Sequence, residues 1–292
     1  MRGVPEGATR VAMLQTGEVD VANNMPGELL DTIRKDSKLR LVSLKAGTGW
    51  LELMSLDRPD HPLKDIKVRQ AVSLAIDRKA ISDAEMGGMA SLEGNFIPDD
   101  WPGALKRPMP PFDAAKARQL LAEAGYPDGF EVSAYTPLPP YFSWGERVVS
   151  QLRAVGIRTQ LNTLERATFY ERQAPGPNRQ KGFQMPLSGS PGDAAARIRE
   201  SATCKGTFSS ICDPEIEKRM TAYDESTDTK ARETILNDVQ TYILDQYLIV
   251  PILRQAFSNV LGPRIANKAE DIEGAIPQYV YLGPYEDIQL TG

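Results

Sequence analysis

The spacing of apolar residues changes repeatedly along this 292-residue chain. Val68, Ala71, Val72, Ala75 and Ile76 recur at the three- and four-residue intervals of one helix face, and Asp65 stands where an N-cap belongs. Leu39 to Leu44 alternates with period two, as a half-buried strand does, and Trp50 to Leu56 reads as a second strand. The same switch recurs from end to end. Ala8 to Gln15 reads as a short helix stopped by Gly17, Glu18 to Ala22 as a strand, and Pro26 to Lys35 as a helix. Asp113 caps a helix through Ala117, Leu120, Leu121 and Ala124, which Gly125 and Pro127 end. Trp144 to Val155 is helical by spacing and Ile157 to Leu164 alternates. Asp213-Pro214 and Asp228 each open an amphipathic helix, Leu248 to Leu253 reads as a buried strand, and Tyr279 to Leu282 as a last one. Strands and helices interleaved in this way predict a mixed α/β fold.

Several chemistries are disfavoured by inventory. The formal charge of −5 argues against a nucleic-acid partner, which needs a basic stripe. No apolar run reaches the ~18 residues of a membrane span, and Met1 to Gly7 lack the apolar region of a secretion signal. One histidine and two cysteines make three soft ligands, too few for a zinc site of the usual kind, so no metal is expected. His61, between Asp60 and Pro62, reads as a solvated loop residue. Ser188 to Gly192 resembles a nucleophile elbow but has serine where the first glycine belongs, and Gly47-Thr48-Gly49 lacks the third glycine of a dinucleotide fingerprint. No catalytic set and no cofactor emerge. An enzyme is disfavoured, and the remaining catalytic alternative is a carboxylate-based hydrolase in an α/β cleft, given 39 acidic residues. Cys204 and Cys212 lie eight positions apart around Gly206. They are either a short disulfide loop in an oxidising compartment or two unrelated buried thiols.

Residues Leu63 to Ile81 contain the pattern D-x-x-V-R-Q-A-hydrophobic-x-x-A-I-D-R. It resembles the signature of extracytoplasmic solute-binding proteins of the peptide/nickel ABC transporter family, bacterial solute-binding family 5. Four further segments agree in order. Thr9 to Asp20 resembles the family's R-x-x-x-L-x-x-G-E-V-D, and Phe112 to Phe130 its D-x-x-K-A-x-x-L-L-x-E-A-G-Y-P-x-G-F. Gln151 to Ile157 matches Q-L-x-x-x-G-I, and Tyr247 to Pro251 matches a late strand running into a proline. The residues themselves suggest structural work. Arg69, Asp77 and Arg78 read as helix-surface or packing ion pairs, and Gly125 to Gly129 as a helix stop.

The resemblance implies a two-lobe, periplasmic-binding-protein type II-like fold whose first lobe is incomplete, because family members carry a long stretch before the first matching segment. Residues 1–49 would form a partial lobe I, 50–252 lobe II, and 253–292 a return to lobe I. It implies a non-enzymatic solute-binding component of an ABC importer that takes a peptide or similar small solute between the lobes. Its partners would be that ligand and the membrane permease, and it would act as a monomer in a periplasmic or extracytoplasmic compartment. A truncated, binding-incompetent fragment is the other reading. The ligand-binding positions that the resemblance implies are Trp50, Ser190 and Asp193. Peptide-binding members have W-x-G-D-x-G-D-P where this chain reads Leu187 to Asp193, and their first Asp pairs with a peptide α-amine. Leu187 and Ser190 replace that tryptophan and that acid, and a neutral or differently charged solute becomes as plausible as a free-amine peptide. Asp193 could equally be the N-cap of a helix starting at Ala194. Trp144 reads as core. The resemblance also implies a disulfide between Cys204 and Cys212, because relatives often carry a bridge just after this loop.

Overall fold

The computed structural model describes residues 2–54, 56, 60–173, 181–188, 192–268 and 285–291. Helices among these residues are α1 (Gly7–Gln15), α2 (Leu30–Lys35), α3 (Ile66–Leu74), α4 (Arg78–Met86), α5 (Ala114–Glu123), α6 (Phe142–Ala154), α7 (Arg166–Gln173), α8 (Ala194–Ala202), α9 (Pro214–Glu225) and α10 (Thr229–Asp245). Strands are β1 (Val21–Ala22), β2 (Arg40–Leu53), β3 (Phe130–Glu131), β4 (Tyr135–Pro137), β5 (Ile157–Arg158), β6 (Phe183–Met185), β7 (Leu187–Ser188) and β8 (Ile249–Leu261). The class is mixed α/β, as the alternating periodicity predicts.

One device starts five of the helices. Asp65, Asp113, Asp193, Asp213 and Asp228 each occupy an N-cap and accept from a backbone N–H two or three residues on. Each carboxylate satisfies a donor that has no partner inside the helix and lies at the positive end of its dipole.

Several boundaries differ from the periodicity. Leu39–Leu44 and Trp50–Leu56 are one strand, β2, running from Arg40 to Leu53. Gly49 does not break it. An ideal Cβ there would stand 3.5 Å from the Trp144 ring, an ordinary van der Waals distance, so packing against α6 does not itself demand a glycine. Pro26 precedes a 3-10 turn, Gly27–Leu29, and the α-helix begins only at Leu30. The helix from Asp65 stops at Leu74, and Arg78 opens a separate helix. Of Glu18–Ala22 only Val21 and Ala22 are strand, and of Ile157–Leu164 only Ile157 and Arg158. β8 runs eight residues beyond Leu253. Residues 279–282 lie outside the described residues.

The chain forms two compact units, Met1–Ala46 with Lys79–Ser91 and Arg254–Gly292, and Gly47–Arg78 with Leu92–Leu253. In the first, β1 pairs antiparallel with the end of β8, Val21 opposite Leu261. Val11, Leu14, Met25, Leu30, Ile33 and Val260 form its core. Gly27 is required there, since a Cβ would stand 2.4 Å from the Ala84 carbonyl oxygen. The second unit carries β2 from Gly47 onward, antiparallel to β6 and β7, with β4 parallel to β6. A separate parallel pair joins β3 and β5. A large core gathers Phe96, Ile198, Ile216, Met220, Val239 and Ile243 between helices.

Candidate functional site

The arginines of the Leu63–Ile81 segment do structural work through hydrogen bonds to backbone carbonyls, with no ion pair to either among the described residues. Arg78, 3% exposed, donates from Nε to the Pro251 carbonyl at 2.8 Å and from Nη1 to the Ser73 and Ile76 carbonyls at 3.0 Å each. Its Nη2 reaches Ser73 Oγ at 3.2 Å. Burial lowers its pKa to about 10, so it remains charged at neutral pH. Arg69 donates to the Leu63, Lys64 and Gln246 carbonyls. Both guanidiniums therefore tie the α3–α4 region to neighbouring backbone.

The sequence-predicted ligand positions fall on or beside β2 and α8. Side chains alternate along a strand, so Thr48, Trp50 and Glu52 share one face of β2. Register extends that face across the sheet. Thr48 lies opposite Ser188, Glu52 opposite Gln184, and Gln184 beside Thr136. The opposite face carries Leu51, Leu53, Phe183, Met185 and Tyr135, all buried. One face of this sheet is thus apolar, and the other is a row of polar groups around a tryptophan.

Trp50 is 1% exposed. Its Nε1 donates to Glu52 Oε1 at 3.2 Å, and its ring meets Phe96 edge-on at 6.1 Å between centroids. Gln173, at the end of α7, donates to both Glu52 oxygens at 3.3 and 3.5 Å. With its ring buried, Trp50 offers a solute no open stacking face, and its influence runs through the groups it holds. Arg197 of α8 lies over the same ring, its Cζ 5.3 Å from the Trp50 centroid and 5.1 Å from that of Trp101. Burial lowers the Arg197 pKa against the opposing pull of Glu200.

Asp193 is exposed and caps α8, its Oδ1 accepting from the Ala196 N–H at 2.8 Å. Ser190 lies outside the described residues. Trp144 is buried on α6. Just after α8, a disulfide joins Cys204 and Cys212, with Cα atoms 4.2 Å apart. The Cys204 N–H donates to Glu217 of α9, so the bridged loop is held between α8 and α9. Glu52, Gln173, Gln184, Thr136 and Arg197 escaped the reading of the sequence. The alternation Thr48-x-Trp50-x-Glu52 marks the polar face, but nothing local marks Gln184 or Arg197. Among the described residues no cluster of three or more metal-ligating side chains occurs.

The model of the family described as bacterial extracellular solute-binding proteins, family 5, middle region, matches residues 1–196. The chain belongs to solute-binding family 5. Among curated relatives of this family 5 chain is the glutathione-binding protein GsiB of Salmonella choleraesuis, 32% identical over 168 residues, covering 56% of this chain and 32% of that protein. Heme-binding protein A of Haemophilus influenzae is 31% identical over 182 residues, covering 59% of this chain and 32% of that protein. Among solved structures, a putative peptide binding protein AppA from Clostridium difficile superposes with a TM-score of 0.83 at 14% identity, covering all of this chain and 60% of that one. That likeness shows the fold, the two-lobe, type II-like class. The alignments to these curated relatives span about a third of their length. The relatives are extracytoplasmic binding proteins and not enzymes, and none of the described helices of the family 5 chain is long and apolar enough to cross a membrane.

Proposed function

We propose that this chain is the solute-capturing component of an ABC importer. It binds a peptide or similar small solute in an extracytoplasmic compartment and passes it unchanged, as a monomer, to the membrane permease. The observation that carries this reading is the family match over residues 1–196. The polar row around Trp50 supports it, because a binding site needs a few fixed polar groups set among apolar walls. Relatives bear names for glutathione and heme binding, and solved members hold the peptide STSA and Met-Leu. We assign the solute to the surface around Asp193, Ser190 and the strand of Trp50, with Trp50 acting from beneath.

The test is thermal unfolding of the purified chain against glutathione, heme, di- to pentapeptides, opines and sugars. A solute that binds the folded chain raises its midpoint through mass action. Stabilisation by one of these supports the reading. No stabilisation by any, with aggregation of the isolated chain, supports a binding-incompetent piece. Asp193→Asn separates its two roles, because asparagine caps a helix as well as aspartate. Unchanged stability with at least tenfold weaker binding places the carboxylate on the solute, and unchanged binding makes Asp193 a cap only.

A further inference from the structure

The second unit holds three buried arginines, and it treats them differently. Arg78 and Arg69 have their donors aimed at backbone carbonyls. Arg197, 2% exposed, has one ion pair, Nη1 to Glu200 Oε2 at a long 3.4 Å, and its Nε meets no acceptor. The Trp50 and Trp101 rings attract the cation through their faces but supply no lone pair. A buried charged donor without an acceptor is costly to keep, and this unit satisfies its other buried guanidiniums. The unmet Nε of Arg197 marks a place for a group from outside the chain.

Its surroundings have the same character. Ser201 lies one turn along α8 and is buried with an unpartnered Oγ. On the Trp50 face of the sheet, Thr48 Oγ1 and both amide atoms of Gln184 are also buried without partners. Trp101 is half-buried and Gly192 exposed, with a Cβ at Gly192 falling 3.4 Å from the Trp101 ring, so the rim beside Arg197 faces solvent. A planar fork of N–H donors between two aromatic walls matches a carboxylate, which accepts two such bonds side by side. The Ser201 hydroxyl on α8, and the Thr48 hydroxyl and Gln184 amide on the Trp50 face, suit the neutral polar groups of the same molecule.

We infer that Arg197 is the carboxylate-recognising residue of a solute subsite on the Trp50 face, so that the transported solute is an acid. This rests on the solute-binding reading above and names its substrate class.

Two arms test it on the whole chain. In the first, unfolding midpoints are measured in sodium succinate and in sodium chloride at equal ionic strength, for the wild type, Arg197→Met and Arg197→Lys. Succinate is expected to raise the wild-type midpoint by several degrees and that of Arg197→Met not at all, with Arg197→Lys between them. In the second, calorimetry compares trialanine with trialanine amide. The free acid is expected to bind at least tenfold more tightly, and Arg197→Lys to narrow that gap. Succinate stabilisation without peptide binding removes the peptide part of the proposed function and leaves the acid subsite standing. Peptide binding indifferent to amidation overturns the acid subsite and leaves the solute-binding reading intact. Equal succinate effects in the wild type and in Arg197→Lys also overturn it, and that comparison remains available should Arg197→Met fail to fold.

Discussion

Replacing Arg78 with methionine keeps most of the apolar stem and removes every donor. Three short bonds disappear, to the carbonyls of Pro251, Ser73 and Ile76, together with the bond to Ser73 Oγ. Each buried acceptor left without a donor costs about 1–3 kcal/mol. The Ser73 carbonyl keeps a longer bond from the Ile76 N–H at 3.4 Å, which offsets part of its loss. Relief of the desolvation that lowers the Arg78 pKa to about 10 offsets more. The net loss is about 3–5 kcal/mol, a shift of roughly 10 °C in midpoint for a chain of this size. Arg78→Lys restores the charge but not the planar fork, and should lose about half as much. Urea unfolding followed by tryptophan fluorescence measures both, provided the m-values agree. Affinity for any solute found by thermal shift should be unchanged in the folded variants. A loss below about 1 kcal/mol, or a loss of affinity without a loss of stability, refutes the assignment of Arg78 to backbone support.

Breaking the disulfide with Cys204→Ser and Cys212→Ser opens a loop of sequence separation 8. The chain-entropy estimate for that loop is about 2.5 kcal/mol. Urea midpoints with and without reductant should reproduce it in the wild type and show no reductant effect in the double variant. The acid limb of stability should depend on Glu123. Hydrogen bonds from Lys67 and then Gln119 hold its carboxyl below the ordinary range. Stability from a depressed carboxyl is present above the unfolded pKa and lost as pH falls through the folded one. Glu123→Gln should therefore flatten the fall in midpoint between roughly pH 5 and pH 3, and an unchanged acid limb would count against the pair.

What the sequence made legible follows from how local each cause is. The five aspartate caps act within three residues of themselves, so their positions were readable, Asp193 among them as one of two roles. Strand ends were less so. Ile157–Leu164 alternates over eight residues, yet only Ile157 and Arg158 form a ladder, with Phe130 and Glu131, and Leu161 adds a single bridge to Tyr135. Pairing is decided by the neighbouring strand, which the alternation itself does not contain. β2 shows the reverse case. Leu39–Leu44 and Trp50–Leu56 read as two strands, and the chain between them stays extended, with Thr48 and Gly49 pairing with Ser188 and Leu187 of β7.

The buried arginines carry this one step further. Arg78 and Arg197 both sit in the first turn of a nine-residue helix, and both are almost wholly buried. The residue types within a few positions of either do not separate a guanidinium that braces backbone from one with an unmet Nε. The difference lies in which groups the fold turns toward each, some near in the chain and some far. Around Arg78 it is carbonyls from Ser73, Ile76 and the distant Pro251, and around Arg197 it is two indole faces. Indoles attract a cation without accepting its hydrogens in the ring plane. A helix surrounded by carbonyls closes its arginine to further chemistry, and the one flanked by tryptophans leaves the Arg197 Nε without an acceptor, on the in-plane edge that a carboxylate uses.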